Sequence, residues 1–101
     1  MDDAITLINE IFDDNTEQYI EDYRIENVFC KVESIQRDEF YRASQNGMKP
    51  QYKFTTARVN YNNENIVLYK DCRYSIYRTF DKPGKDDIEL YVEDKEGITD
   101  V

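Results

Sequence analysis

Apolar and polar positions alternate with a period of two along most of this chain, a pattern typical of β-strands. The clearest run covers residues 27–37. There Val28, Cys30 and Val32 share one face, while a mixed set of side chains occupies the other. The same pattern predicts further strands at residues 4–12, 52–59, 66–69, 72–80 and 88–92, and a short piece at residues 18–20 lies before the clearest run. The chain is therefore expected to be mainly β.

A single helix is predicted where the alternation is lost. Residues 38–45 are good helix formers, with Asp38 as a candidate N-cap and Gly47 as a stop signal, so we expect one or two helical turns. Residues 46–50 follow as a loop that ends at Pro50. Other turn-forming segments lie at residues 13–15, 60–65, 70–71 and 81–87.

These elements predict a small antiparallel β-barrel or sandwich of five or six strands, with one short helix and a long connecting loop. The chain has 101 residues, a length that suits one domain over residues 1–101. We expect the ordered core to cover residues 4–92 and the tail at 93–101 to be frayed.

Composition argues against catalysis. The chain has no histidine, which removes the commonest general base and the commonest transition-metal ligand. Cys30 and Cys72 are the only cysteines, and we expect both to be reduced thiols in the core. No apolar run approaches 18 residues and no basic leader precedes one, so neither a membrane helix nor a signal peptide is expected. We predict a non-enzyme without cofactor or metal.

Charge is distributed in three blocks. Residues 1–40 carry twelve acids and three bases, residues 41–80 two acids and seven bases, and residues 81–101 eight acids and three bases. The net charges of −9, +5 and −5 sum to −9. Two interpretations stand: the flanks pair with the middle within one chain, or unlike surfaces of neighbouring copies meet in a head-to-tail ring. The total of −9 disfavours tight nucleic-acid binding.

Aromatic residues are numerous, with nine tyrosines and five phenylalanines. Tyrosine suits interfaces because it combines an apolar ring with a polar hydroxyl. Aromatic and basic residues also interleave in the second half, an arrangement that could stack single-stranded bases. The residues concerned are Tyr69, Lys70, Arg73, Tyr74, Tyr77 and Arg78. A small β-barrel module for single-stranded nucleic acid is therefore an alternative from another class.

Several segments occur in an order that resembles a known family. Residues 38–50 read DEFYRASQNGMKP, residues 52–54 read YKF and residues 60–64 read NYNNE. Residues 66–80 then read IVLYKDCRYSIYRTF, and residues 87–91 read DIELY. Together with Ala4-Ile5-Thr6-Leu7-Ile8, this order resembles the head–tail joining family of tailed phages, the small head-closure or stopper proteins. The resemblance covers residues 4–92. It departs at Asn60-Tyr61, where Asp-Tyr is commoner, and at Lys70-Asp71, where Asn-Gly often makes the turn.

The resemblance implies a virion structural protein with a small β-barrel fold and a connecting segment that points toward a DNA channel. Such proteins form a ring, usually of twelve subunits, beneath the portal or adaptor. They retain the packaged genome, which passes nearby without tight binding, and offer a surface to the tail-joining protein. A location in the virion is implied, after synthesis in the bacterial host cytoplasm and without a membrane partner. A tail-completion or tail-terminator protein is the alternative within the same machine.

Two sets of residues are candidate functional sites under this hypothesis. We expect a channel-facing or gating loop, because Gly47 and Pro50 lie in a polar segment between two strands. This loop comprises Gln45, Asn46, Gly47, Met48, Lys49 and Pro50. We expect the subunit or connector interface to include Arg42, Arg58, Arg73, Tyr74, Tyr77 and Arg78.

Overall fold

Six antiparallel strands and one helix form the part of the chain that this computed structural model describes, residues 2–94. The elements are β1 (Asp2–Asp13), β2 (Gln18–Ser34), α1 (Arg37–Gln45), β3 (Pro50–Ala57), β4 (Ile66–Tyr69), β5 (Cys72–Asp81) and β6 (Asp87–Asp94). A single 3₁₀ turn, Arg58–Asn60, follows β3. The mainly β fold with six strands and one helix is confirmed.

The strands close on themselves in the order β1-β2-β3-β6-β5-β4. The ring closes where β1 pairs with β4, at Thr6 opposite Leu68 and Ile8 opposite Ile66. Each pair of neighbours in the ring is antiparallel. Closure removes the free sheet edges that would otherwise pair with other chains.

The core lies inside this ring, on the face that the alternation predicts. Phe54 is fully buried at its centre. Its ring contacts those of Tyr52 and Tyr69, with centroids 5.8 and 5.2 Å away. The other buried members of the cluster are Ile5, Leu7, Val28, Cys30, Val32, Val67, Ile88, Leu90 and Val92. Aromatic and β-branched side chains therefore supply most of the apolar burial that stabilises this small domain.

The helix ends in a Schellman motif, which confirms Gly47 as its stop. The amide of Gly47 donates to the Ser44 carbonyl and that of Met48 to the Ala43 carbonyl, at 3.1 and 3.0 Å. Gly47 has φ +82°, a conformation that a glycine adopts without steric cost. The N-cap is Gln36 rather than Asp38. Asp38 lies in the first turn, where its carboxylate interacts favourably with the positive end of the helix dipole.

A β-bulge at Tyr77 changes which residues of β5 face outward. The pattern places Arg78 on the same face as Tyr74 and Ile76, and the structure contradicts this. Ile76 lies opposite Val92 inside the ring, but after the bulge Arg78 lies opposite Tyr91 on the outer face. An extra residue in one strand shifts the alternation by one position, so every later side chain changes face.

Other differences concern element boundaries. The predicted pieces at 18–20 and 27–37 are parts of one 17-residue strand, β2, which ends at Ser34. The predicted tail at 93–101 is wrong for residues 93 and 94, which belong to β6; its remainder lies outside the described residues. Cys30 is buried as expected, whereas Cys72 is exposed at the start of β5, and both are free thiols. Burial raises the pKa of the Cys30 thiol to about 11.

Candidate interaction surfaces

The longest projection from the barrel is a two-stranded ribbon, residues 9–26, formed by the end of β1 and the start of β2. β1 pairs with β4 only at residues 6–8, and β2 pairs with β3 only at residues 31–34. Between these limits the two strands pair with each other, from Asn9 opposite Tyr23 to Asp13 opposite Gln18. The ribbon therefore extends beyond the closed sheet.

Apolar side chains are exposed on both faces of this ribbon near its tip. Phe12 and Tyr19 are 50% and 66% exposed, and their rings contact edge to face at 5.3 Å. Ile11 and Ile20 lie opposite each other at the next pair and are also exposed. Directly opposite residues of an antiparallel pair share a face, and successive pairs alternate between faces. The tip therefore presents one aromatic pair and one aliphatic pair to solvent.

Polar contacts fix the base of the ribbon to the barrel. The Asn65 side chain accepts from the Glu10 amide and donates to its carbonyl, both at 2.9 Å, and so replaces a backbone partner for β1. The Tyr23 hydroxyl donates to the carboxylate of Glu64 at 2.5 Å. Glu64 is only 1% exposed and also accepts from the Asn62 amide. The hydrogen bond to Glu64 raises the pKa of the Tyr23 hydroxyl to about 12.

Ion pairs within the chain account for much of the three-block charge pattern. Bases of the middle block pair with acids of both flanks: Arg73 with Glu10, Arg78 with Glu39, Arg58 with Asp81, and Lys53 with Glu33 and Glu89. Intramolecular pairing, the simpler of the two interpretations, is therefore confirmed for these groups. The head-to-tail interpretation concerns only the charges that remain without such partners.

A cluster of partly buried polar groups joins α1 to the outer face of the barrel. The Glu39 carboxylate accepts from Arg78 at 2.6 and 3.1 Å and from the Tyr77 hydroxyl at 2.7 Å. The guanidinium of Arg78 also lies 3.9 Å from the centre of the Tyr91 ring. The bonds to Arg78 lower the pKa of Glu39, while burial followed by the bond to Glu39 raises the pKa of Tyr77. Glu39 therefore links the helix to β5 as a charged acceptor.

A shallow, open groove runs along the exposed side of α1, and all of the residues that line it belong to the helix. The groove has a volume of about 500 Å³ and is lined by Arg37, Asp38, Tyr41, Arg42 and Gln45. Within the described part of the chain, neither Arg37 nor Arg42 forms an ion pair, and the same holds for Lys49 just beyond the helix. We call this surface the helix face. It is basic and partly aromatic.

The structure brings only some of the interface candidates together. Arg42, Tyr77 and Arg78 line one pocket beside Glu39. Arg58 lies elsewhere and donates to Asp81 at 2.7 Å and to the Lys85 carbonyl at 2.5 Å. Arg73 and Tyr74 are also separate from this group.

Those two residues have partners of their own. Arg73 pairs with Glu10 at the base of the ribbon. The Tyr74 ring packs against the core, edge to face with Tyr52 at 5.6 Å. The interleaved aromatic and basic residues of this region therefore do not form one exposed stacking platform.

The candidate gating loop is short and well connected. Gln45 ends α1, Asn46 to Met48 form the Schellman motif, and the Lys49 amide donates to the Glu93 carboxylate at 3.2 Å. Pro50 is buried as the first residue of β3. A helix and a four-residue connection occupy this segment, close to the predicted bounds, and its role as a channel-facing loop stays a prediction.

Sequence reasoning missed the ribbon, although its tip exposes four large apolar side chains. A hairpin could have been predicted from the apolar residues that flank the turn. Ile11-Phe12 and Tyr19-Ile20 stand symmetrically on either side of the acidic segment 13–18. Two apolar pairs placed symmetrically around a turn cluster indicate a hairpin.

The described residues hold no helix with the length and apolarity that a membrane crossing requires. Across residues 2–94, no three acidic or cysteine side chains are grouped closely enough to bind a metal ion. No protein-family model matches this chain, and no curated protein matches it significantly. The resemblance to the head–tail joining family stays a prediction.

Proposed function

We propose that this chain is a structural protein of a tailed phage or prophage, a head-closure subunit that joins a ring beneath the portal or adaptor. In this role it retains the packaged DNA and offers an attachment surface to the tail. The observation that carries the proposal is the exposed ribbon with its apolar tip on a closed barrel. The order of the sequence segments over residues 4–92 supports the particular family.

The ribbon supports an assembly role because its unpaired edges and exposed apolar side chains are unfavourable in a protein that acts alone. A closed ring of strands leaves few free edges, whereas a two-stranded ribbon has an unpaired edge on each side. An isolated two-stranded ribbon is also marginally stable in water. Contiguous exposed apolar side chains commonly mark contacts with another protein. A binding partner would cover both the edges and the side chains of Phe12 and Tyr19.

The charge distribution supports a protein that DNA passes without binding tightly. The chain carries a net charge of −9, and several of its central bases are paired with acids. Affinity for duplex DNA depends mainly on free cations that replace counterions on the phosphates. A surface of this charge repels the phosphate backbone, as a passage for DNA requires.

Removal of the gene from the phage genome that encodes it tests the proposal. Lysates would be examined by electron microscopy, with the wild-type gene supplied from a plasmid as the control. Full-length free tails beside tailless heads that have lost DNA are the expected result. Complementation should restore intact virions.

Other outcomes contradict head closure in different ways. Sealed heads with tails of aberrant length would assign the chain to tail termination. Normal virions would exclude a role of this chain in the connector. Binding of the purified protein to a single-stranded oligonucleotide at physiological salt would instead favour the nucleic-acid module.

A further inference from the structure

The ribbon tip and the helix face are complementary in charge and in apolar character. The ribbon, residues 9–26, carries seven acids and one base. Three of those acids, Asp13, Asp14 and Glu17, lie at its tip beside Phe12 and Tyr19. The helix face carries two bases, Arg37 and Arg42, against one acid, Asp38, and is partly aromatic through Tyr41.

Two of the bases that form no ion pair with a described residue lie on that face. Twelve lysines and arginines lie within residues 2–94, and five of them form no ion pair with another described residue. Two of these five, Arg37 and Arg42, line the helix face beside its single acid, Asp38, and a third, Lys49, follows four residues after the end of α1. Because the central bases Lys53, Arg58, Arg73 and Arg78 are already paired with acids, the helix face offers an acidic tip two arginines without an ion-pair partner among the described residues.

The two surfaces lie on different sides of the same barrel. The ribbon continues β1 and β2, whereas α1 lies against β3 and reaches β5 through Glu39. β2 pairs directly with β3 in the ring, but the ribbon is formed by the start of β2, whereas α1 begins after that strand has ended at Ser34, so the two surfaces lie at opposite ends of this 17-residue strand. The tip of one copy therefore meets the helix face of another copy rather than its own. A contact between unlike surfaces is heterologous and produces an open chain or a closed ring.

We propose that the ribbon tip of one copy docks into the groove of the helix face on the next copy. Phe12 and Tyr19 contact Tyr41 in the groove, and the acids of the turn meet Arg37 and Arg42. The occupant is a second copy of this chain, because both complementary surfaces are present on it. This contact rests on the proposed function, since head closure requires a ring.

Mixing two variants tests the contact with purified protein. The ribbon variant carries Ile11→Ser with Phe12→Ser, and the helix variant carries Arg37→Glu with Arg42→Glu. All four side chains are exposed, so far-UV circular dichroism should show both variants folded. Controls are Phe29→Ser, an exposed apolar residue outside the ribbon, and Lys85→Glu, an exposed base outside the helix face.

Sedimentation velocity would be measured in low salt, up to about 1 mM protein. Wild type and both controls should form oligomers beyond the dimer. Each variant alone should remain monomeric, while an equimolar mixture should stop at a dimer, because only one intact tip and one intact face remain. The wild-type dissociation constant should increase at least about threefold between low and physiological salt.

The contrary outcomes identify other contacts. Self-association of the helix variant alone as a dimer would indicate a symmetric ribbon-to-ribbon contact and overturn the proposal. Monomeric wild type at every concentration, or oligomers that both variants preserve, would overturn it equally. These results do not depend on virion morphology, so gene removal can still support head closure when this contact fails. Conversely, the mixed dimer can form even if the virion experiment excludes a connector role.

Discussion

The link between α1 and the barrel through Glu39 gives a quantitative prediction. Replacing Glu39 by Gln keeps the shape of the side chain and removes its charge. The carboxylate accepts two bonds from Arg78 and one from Tyr77, and its side chain is 11% exposed. Hydrogen bonds to charged groups contribute roughly 1.5–3 kcal/mol. Since Arg78 is 39% exposed and solvent screens it, we expect a loss of about 1–2 kcal/mol at pH 7.

The pH dependence of this loss follows from the lowered pKa of Glu39. Its folded-state pKa lies below the ordinary value of 4.5, mainly because of the bonds from Arg78. The stabilisation is therefore fully present above that ordinary value and is lost as the pH falls through the folded-state pKa. Wild type and Glu39→Gln should differ most near neutral pH and converge in acid.

Urea unfolding at a series of pH values measures this difference. Far-UV circular dichroism and tyrosine fluorescence can follow the transition, since the chain has nine tyrosines and no tryptophan. The loss corresponds to a decrease in melting temperature of about 5–10 °C at neutral pH. Asp38→Asn is the matched control, because it removes one acid from the same helix at an exposed position without an ion pair in the described residues. We expect the control to change stability by at most about 0.5 kcal/mol.

Two results would refute this reasoning. One is a Glu39→Gln protein that is no less stable at neutral pH than the Asp38→Asn control. The other is a difference from wild type that stays constant into the acid range, because a charge-based contribution must vanish once the carboxyl is protonated. Either result would mean that packing of α1, rather than this charged contact, holds the helix on the barrel.

Three further changes test the core and the turns by urea unfolding. Phe54→Ala should lower the free energy of unfolding by about 3–5 kcal/mol, because a fully buried ring is removed; a loss below about 1 kcal/mol would contradict the central position of Phe54. Gly47→Ala should cost about 1 kcal/mol through backbone strain alone, since an added Cβ meets no atom within 4 Å. Lys70→Asn with Asp71→Gly should stabilise the protein by about 1–2 kcal/mol. Lys70 has φ +50° and Asp71 has φ +64°, and asparagine and glycine adopt such left-handed conformations more readily than lysine and aspartate. No change in either turn variant would indicate that these backbone conformations are not strained.

Much of the barrel could be predicted from the period of the sequence. The face containing Val28, Cys30 and Val32 is buried as the alternation indicates. The turn at Lys70-Asp71 and the helix stop at Gly47 also lie where local chemistry places them. These features are local, because strand periodicity, turn preference and helix capping each depend on a few neighbouring residues.

The candidate site was less predictable because its contacts join residues far apart in the chain. Arg78 faces outward only because of a bulge at Tyr77, which single-residue preferences do not indicate. Arg58 and Arg73 were chosen for their charge, but acids that lie beside them only in the folded chain pair with both. An exposed base and a paired base look the same in sequence, since the difference is the position of a distant carboxylate.

The sequence by itself determined the class of fold, the inward face of the strand that contains Val28, Cys30 and Val32, the stop of the helix and the acid–base–acid distribution of charge. The tertiary structure alone decided how the strands close, which bases are already paired, and that residues 9–26 extend beyond the barrel as a ribbon. The physical reason is the range of the interactions involved. Periodicity and turns act within a few residues, whereas strand pairing and ion pairing join segments such as Glu10 and Arg73, which meet only when the ring has closed.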